Sequence, residues 1–341
     1  ISINGFELSQ KNCPIALKIL LVLLLIIFTG KFILYYSSGA TFIISSLFRS
    51  ISPYIIIITF ILPIFYLAYK GIVSIARTAE IFFILVIALL FFDYTFLHGE
   101  MDFDRLKPLF TMSVGDFTVN MNSFGLWIGD LLPFLFIKMK KHKFPYVALA
   151  VPVTYGFIIL NIIISIAIFG GALFLIENIL VIIPTFNEFA STLGKLEWAG
   201  LIPWFIMIVI YLSCLLWGCF EIGEFLFRKR TVFAGIYVGA IIIFLLSVKS
   251  MQYVINMATT QFVSIAFWCG NSILPLALLL VAIISKRKNE NQKIKSEKEN
   301  APILLNAPEK HEVTSSEIQE KNSVNSTTIV LPAPSNHGGE K

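Results

Sequence analysis

Eight stretches of this sequence are each apolar over the roughly 20 residues that an α-helix needs to cross the hydrocarbon core of a bilayer. They run Ala16–Tyr35, Ile51–Tyr69, Ile75–Phe92, Phe117–Ile137, Tyr146–Leu175, Ala199–Phe220, Val232–Val248 and Val263–Ser285. Few folds are open to such a chain, because lipid offers no partner to backbone N–H and C=O groups, and only helices and closed barrels satisfy them internally. None of the stretches alternates polar and apolar residues as barrel strands do. The expected fold is an all-α polytopic membrane protein with eight transmembrane helices. Charged residues make up only 14% of the 341 positions, and a mean hydropathy of +0.83 lies outside the range of soluble domains. The bilayer is therefore the expected environment, and the net charge of +5 is no nucleic-acid signal.

Domain organisation follows from the same runs. Residues 1–15 form an N-terminal flank, 16–285 the membrane domain, and 286–341 a hydrophilic tail rich in Lys, Glu, Asn, Ser and Pro that has too little to bury to order itself. The opening Ile1 and the absence of a signal-peptide pattern suggest a start partway through a longer protein. Lys and Arg collect in alternate loops: Lys70 and Arg77, then Lys138–Lys143, then Arg228–Arg230, then Lys286–Lys288. By the positive-inside rule those loops are cytoplasmic, which puts both ends of this chain inside.

The chemistry to be expected is limited. There is no GxxxxGK[ST], HExxH or GxSxG sequence, and His98, His142, His311 and His337 all fall in loops or the tail, so neither an ATP motor, a metalloenzyme nor a serine hydrolase is indicated. No cofactor, metal ligand set or catalytic residue is expected. Cys13, Cys214, Cys219 and Cys269 have no CxxC spacing and read as small buried hydrophobes.

Helix disruption is the informative feature. Pro63, Pro133, Pro152 and Pro275 lie inside apolar runs, each explicable by packing. In NMNSFGLWIGDLLPF, Asn120–Phe134, several irregularities coincide. Gly125 and Gly129 have the small-xxx-small spacing of close helix packing, as do Gly235 and Gly239. Asp130, however, is an ionisable group that needs a partner or water at membrane depth. Two readings stand: a tightly packed helix, or an unwound one that contacts a substrate, as in many secondary transporters. Lys31, beside Thr29 and Gly30, lies near the outer end of its expected span and can snorkel to the interface, unless an acid faces it. Tyr211, Ser213 and Cys214 add a small polar cluster in the sixth span, of the kind that bonds helices together.

The segment GIVSIARTAEIFF, Gly71–Phe83, opens the third span with Arg77 and Glu80 three residues apart. Glu80 near a helix N-terminus is favoured by the macrodipole, and Arg77 can neutralise it. With Tyr69 and Lys70 before it, the segment resembles the YKG...IAR..EI signature of the spore germination permeases, the integral B-type subunits of nutrient germinant receptors. That family is similar to the amino acid, polyamine and organocation transporters. Phe124–Gly125, the PTF at Pro184–Phe186 and LEWAGLIPW extend the resemblance over residues 14–285.

The resemblance implies a ten-helix LeuT-like inverted-repeat fold of which this chain carries helices three to ten. Phe117–Ile137 then corresponds to the broken sixth helix, making Ser123, Phe124 and Gly125 substrate positions; the polar cluster residues Tyr211 and Ser213 are candidate substrate-binding residues beside them in the expected site. Gly71, Arg77, Glu80 and Asp130 become gate or signalling residues. Members often carry Gly-Glu after that Phe, whereas Leu126 follows Gly125 here, and the long tail is a further departure. The implied function is binding a small nutrient, an amino acid above all, in the inner spore membrane, with A-type and C-type receptor subunits as partners. A secondary amino-acid transporter driven by H+ or Na+, with Asp130 as coupling residue, is the alternative, and a partner-recruiting membrane scaffold is a third.

Overall fold

A computed structural model describes residues 14–48, 50–96, 101–107, 129–137, 144–175, 197–227, 229–247, 253–254, 256 and 261–299. Seven α-helices are set out among them: α1 Pro14–Phe42, α2 Pro53–Lys70, α3 Ile72–Phe96, α4 Phe144–Phe169, α5 Glu197–Phe227, α6 Arg230–Leu246 and α7 Gln261–Glu299. Six of these contain spans long and apolar enough to cross a membrane, and α6 is a shorter apolar helix. No strand occurs among the described residues. The protein is an all-α polytopic membrane protein. The chain divides into two compact units, residues 1–294 and 295–341, and apart from the last residues of α7 the features below belong to the first.

Helix α5 is the centre of the packing, meeting α1, α2, α3 and α6. Its face of Leu212, Leu215, Leu216, Cys219 and Phe220 is buried, whereas α3 turns Ile81, Ile84 and Phe91 outward with more than 70% of their surface exposed. Such an apolar exterior suits lipid rather than water. Pro starts both α1 and α2, a position where the missing N–H is no loss.

Gly71 separates α2 from α3 with φ 92° and ψ 177°, a region open essentially only to glycine. Its N–H is shared by the carbonyls of Leu67 and Ala68, which closes the last turn of α2, and its own carbonyl accepts from Ser74 and Ile75 to start α3. One residue thus ends one helix and begins the next. A Cβ there would meet only Arg230 Nη2 at 3.8 Å, so Gly71→Ala should cost about 1–3 kcal/mol through the torsion alone. Thermal unfolding of the purified protein checks this; Gly71→Ser, which adds bulk but no new torsion, should lose the same amount.

Several expectations are corrected. The first span does not stop at Tyr35: α1 continues to Phe42 because Tyr36, Ser37 and Ala40 are fully buried and Gly39 lets Ile208 and Phe60 approach. The fourth span is no continuous helix over its final third, since residues 129–131 form a turn and Leu132–Phe136 a 3-10 helix; residues 117–128 lie outside those described. The tail expected to be unstructured from Lys286 is helical to Glu299, where Lys, Glu and Gln are good helix formers and Lys286 meets Glu290 at 3.9 Å one turn on. Gly235 and Gly239 are not points of close helix approach among the described residues, since nothing lies within 4 Å of where each Cβ would be. Of the four prolines, Pro133 is buried and lies 3.4 Å from where a Cβ on Gly218 would be, while Pro152 is exposed.

Outside the central packing, α4 is capped by the segment before the expected fourth span. Asp102 N–H donates to the carbonyl of Ala167 at 3.1 Å, and the guanidinium of Arg105 donates to that of Ile168. These carbonyls belong to the last turn of α4, where no intrahelical N–H remains for them and a cation is favoured.

Candidate functional site

Among the described residues, one ion pair has a fully buried member. Lys31, the 18th of 29 residues in α1, is fully buried, and its Nζ lies 2.7 Å from Asp130 Oδ1. The hydroxyl of Tyr211, the 15th of 31 residues in α5, donates to the same oxygen at 2.8 Å. Both donors thus come from the middles of long apolar helices. The acceptor comes from the turn that interrupts the expected fourth span.

Local structure explains how Asp130 arrives there. Gly129 has φ +89°, which turns the chain out of helical geometry at a conformation that side chains resist. Its carbonyl accepts the N–H of Leu132 at 2.9 Å, starting a 3-10 helix in which Pro133 occupies the first turn. The side chain of Asn271 from α7 fills the space a Cβ on Gly129 would need, with Oδ1 2.8 Å from that point. The break therefore exposes the carboxylate toward α1 and α5, with α7 packed behind it.

Around the pair lies a polar shell. Tyr35, one turn beyond Lys31, stacks edge-on against Tyr211 with ring centroids 5.1 Å apart. Two residues before Lys31, and so on another side of α1, Thr29 Oγ1 and the Tyr237 hydroxyl are 2.6 Å apart, and Tyr237 also donates to Cys219 Sγ at 3.3 Å. Gly30 allows Phe267 of α7 to approach within 3.0 Å of where its Cβ would be. A buried ion pair is stabilising only when well hydrogen-bonded, since desolvating two charges costs several kcal/mol. Tyr211 supplies part of that support, so Tyr211→Phe should cost about 1.5 kcal/mol, the low end for a hydrogen bond to a charge because Lys31 remains. Thermal unfolding measures it, and an unchanged midpoint would show that the hydroxyl contributes nothing.

The remaining expected site residues are distributed as follows. Ser123, Phe124 and Gly125 lie outside the described residues; Asp130 is the fifth residue after Gly125. Ser213 is fully buried and donates to the carbonyls of Val209 at 2.7 Å and Ile64 at 3.3 Å, fastening α5 to α2. Lys31 does not snorkel to an interface, because an acid does face it. Arg77 and Glu80 are both exposed and no ion pair joins them; with the cation first in the helix their order is the less favourable one.

The ion cluster at that end of the bundle was not among the expected site residues. Arg230 at the start of α6 reaches back to Glu221 at 2.9 Å and Glu224 at 3.4 Å in the last turns of α5, with its guanidinium beside Gly71. Two acids three apart, six and nine residues before an arginine, were the available signal. Among the described residues no group of His, Cys, Asp or Glu could hold a metal ion, and Cys214, Cys219 and Cys269 are free thiols. An apolar groove of about 280 Å³ between α2, α3 and α5, bordered by Pro63, Tyr66, Thr78, Phe82 and Phe205, includes none of the charged pair.

No curated protein and no solved structure matches the chain. The family profile described as spore germination protein matches residues 6–255, a stretch that runs from before α1 to beyond α6 and so takes in Lys31, Asp130 and Tyr211. The helical membrane architecture agrees with it, and the chain belongs to the spore germination protein family.

Proposed function

We propose that this chain is the membrane subunit of a nutrient germinant receptor, binding a small nutrient, an amino acid above all, at the interrupted fourth span and passing that event to A-type and C-type partner subunits. The observation that carries the reading is the break at Gly129, which delivers a carboxylate to a buried cation at the middle of α1. A packing helix has no need of such a break. Ligand contacts then fall on Ser123, Phe124 and Gly125 just upstream, with Tyr211 linking the segment to the central helix α5. Binding shifts a two-state bundle only by the difference in affinity for its two states, and a segment joined to α1 and α5 through the polar contacts of Asp130 is suited to having two positions. Gly71, Arg77 and Glu80 are assigned to the gate at the end where Arg230 gathers Glu221 and Glu224.

Family membership supports the inner spore membrane as location, and the basic loops support cytoplasmic ends. No covalent chemistry is assigned. Spores carrying the full-length gene with Gly125→Leu should lose the nutrient response while immunoblotting shows normal protein in the spore membrane. An unaltered response at normal abundance removes the nutrient site from this segment.

A second reading, a secondary amino-acid transporter driven by H+ or Na+, draws on Asp130 as an ionisable group at membrane depth. It predicts accumulation of substrate in vesicles under an ion gradient, which a receptor subunit does not require.

A further inference from the structure

We propose that Lys31 is the resident counter-cation of Asp130, so that the helix-break site carries out its work without a bound alkali cation and becomes a sodium site only when the lysine amine is removed. An ionised carboxylate at membrane depth requires a positive partner. That partner is either a mobile ion or a fixed side chain. Here the ammonium lies 2.7 Å from Asp130 Oδ1 on a side chain with no exposed surface, so it is built into the bundle rather than recruited from water.

The oxygen chemistry leads the same way. Asp130 Oδ1 already accepts from Lys31 Nζ at 2.7 Å and from the Tyr211 hydroxyl at 2.8 Å, which fills that oxygen and leaves Oδ2 as the open side of the carboxylate. A metal ion at Oδ2 would stand beside the ammonium it repels. Without the amine the position reverses. Asp130 Oδ1 and the Tyr211 oxygen would then face the vacated volume, with the Asn271 side chain against Gly129, and hard oxygen donors around a small space suit sodium. Tyr35, edge-on to Tyr211, closes the side toward the end of α1. The inference is compatible with the receptor reading and with a proton-driven transporter, and it argues against Asp130 as a sodium ligand in the unaltered chain.

The test uses purified full-length protein and thermal unfolding in sodium, potassium or choline chloride at equal ionic strength. Wild type should show the same midpoint in all three. Lys31→Met should be destabilised in choline and recover through a saturable rise of about 3 °C in sodium. Lys31→Met combined with Asp130→Asn, which has no charge left to balance, should lose that rise. A sodium-dependent midpoint in wild type that Asp130→Asn abolishes overturns the proposal, as does a folded Lys31→Met indifferent to sodium. Should Lys31→Met fail to fold, wild type and Asp130→Asn still decide the matter. Because the readout is cation binding itself, its failure is separable from failure of the nutrient response in Gly125→Leu spores.

Discussion

Asp130→Ala should lower the stability of the bundle by about 3–5 kcal/mol, the range for removing one partner of a buried ion pair. The loss is large because Lys31 has no exposed surface and nowhere to rehydrate. Its ammonium would lose the opposite charge it meets at 2.7 Å, and Tyr211 would lose the acceptor it shares with Lys31. Removing both charges is a different experiment. Lys31→Met with Asp130→Asn leaves no unpaired ion, and such double replacements are often close to neutral. The expected result is a double variant well above Asp130→Ala in thermal midpoint, with a coupling energy of several kcal/mol between the two sites in a double-mutant cycle. Simple additivity of the single variants would show that the pair contributes no net interaction.

Gly129→Val should cost about 2–4 kcal/mol from two separate sources. One is torsional, since φ is +89° and branched side chains resist that region most. The other is steric, since a Cβ would lie 2.8 Å from Asn271 Oδ1 and 2.9 Å from Leu132 Cδ1. The two separate in an Asn271→Ala background, where the crowding from α7 is gone and the torsion remains. Partial recovery there is expected. Full recovery would mean the backbone is not held in its left-handed conformation, and none would mean α7 does not press on the break. Either way the variant should move Asp130 away from Lys31, so nutrient response should fall along with stability.

The membrane class was legible from hydropathy alone, since backbone satisfaction in lipid leaves only helices for runs of this composition. Gly129, Asp130 and Pro133 also announced an irregular segment, because each is unfavourable in a plain apolar helix. The identity of the partner was not legible. Lys31 stands 99 positions from Asp130, and local rules carry no information across that distance. The error that concealed it was one of length: Tyr35, Tyr36, Ser37, Ser38 and Gly39 look like the end of a span, which put Lys31 near water. In the folded chain Tyr36 donates to the carbonyl of Ile57 and Gly39 is a contact point for Ile208, so polar and small residues continue the helix because neighbouring helices receive them. Ser213 and Tyr211 illustrate the same limit, since two residues on one helix serve a backbone carbonyl and a carboxylate respectively, and nothing in their spacing separates the roles.

The distance between Lys31 and Asp130 also sets the order of events during synthesis. At about 5–20 residues per second, the ribosome needs roughly 5–20 s to reach the acid after the lysine has been made, and during that interval α1 enters the bilayer with its ammonium unanswered. A lysine at the centre of an inserting helix costs about 2.5–3.5 kcal/mol, and each Leu, Ile or Val offsets about 0.3–0.6. The eight consecutive aliphatic residues Leu20–Ile27 together contribute about 2.4–4.8 kcal/mol, enough to hold the helix in place until its counter-ion arrives. Polar substitutions in that run should therefore lower the yield of inserted protein even where the finished bundle would tolerate them.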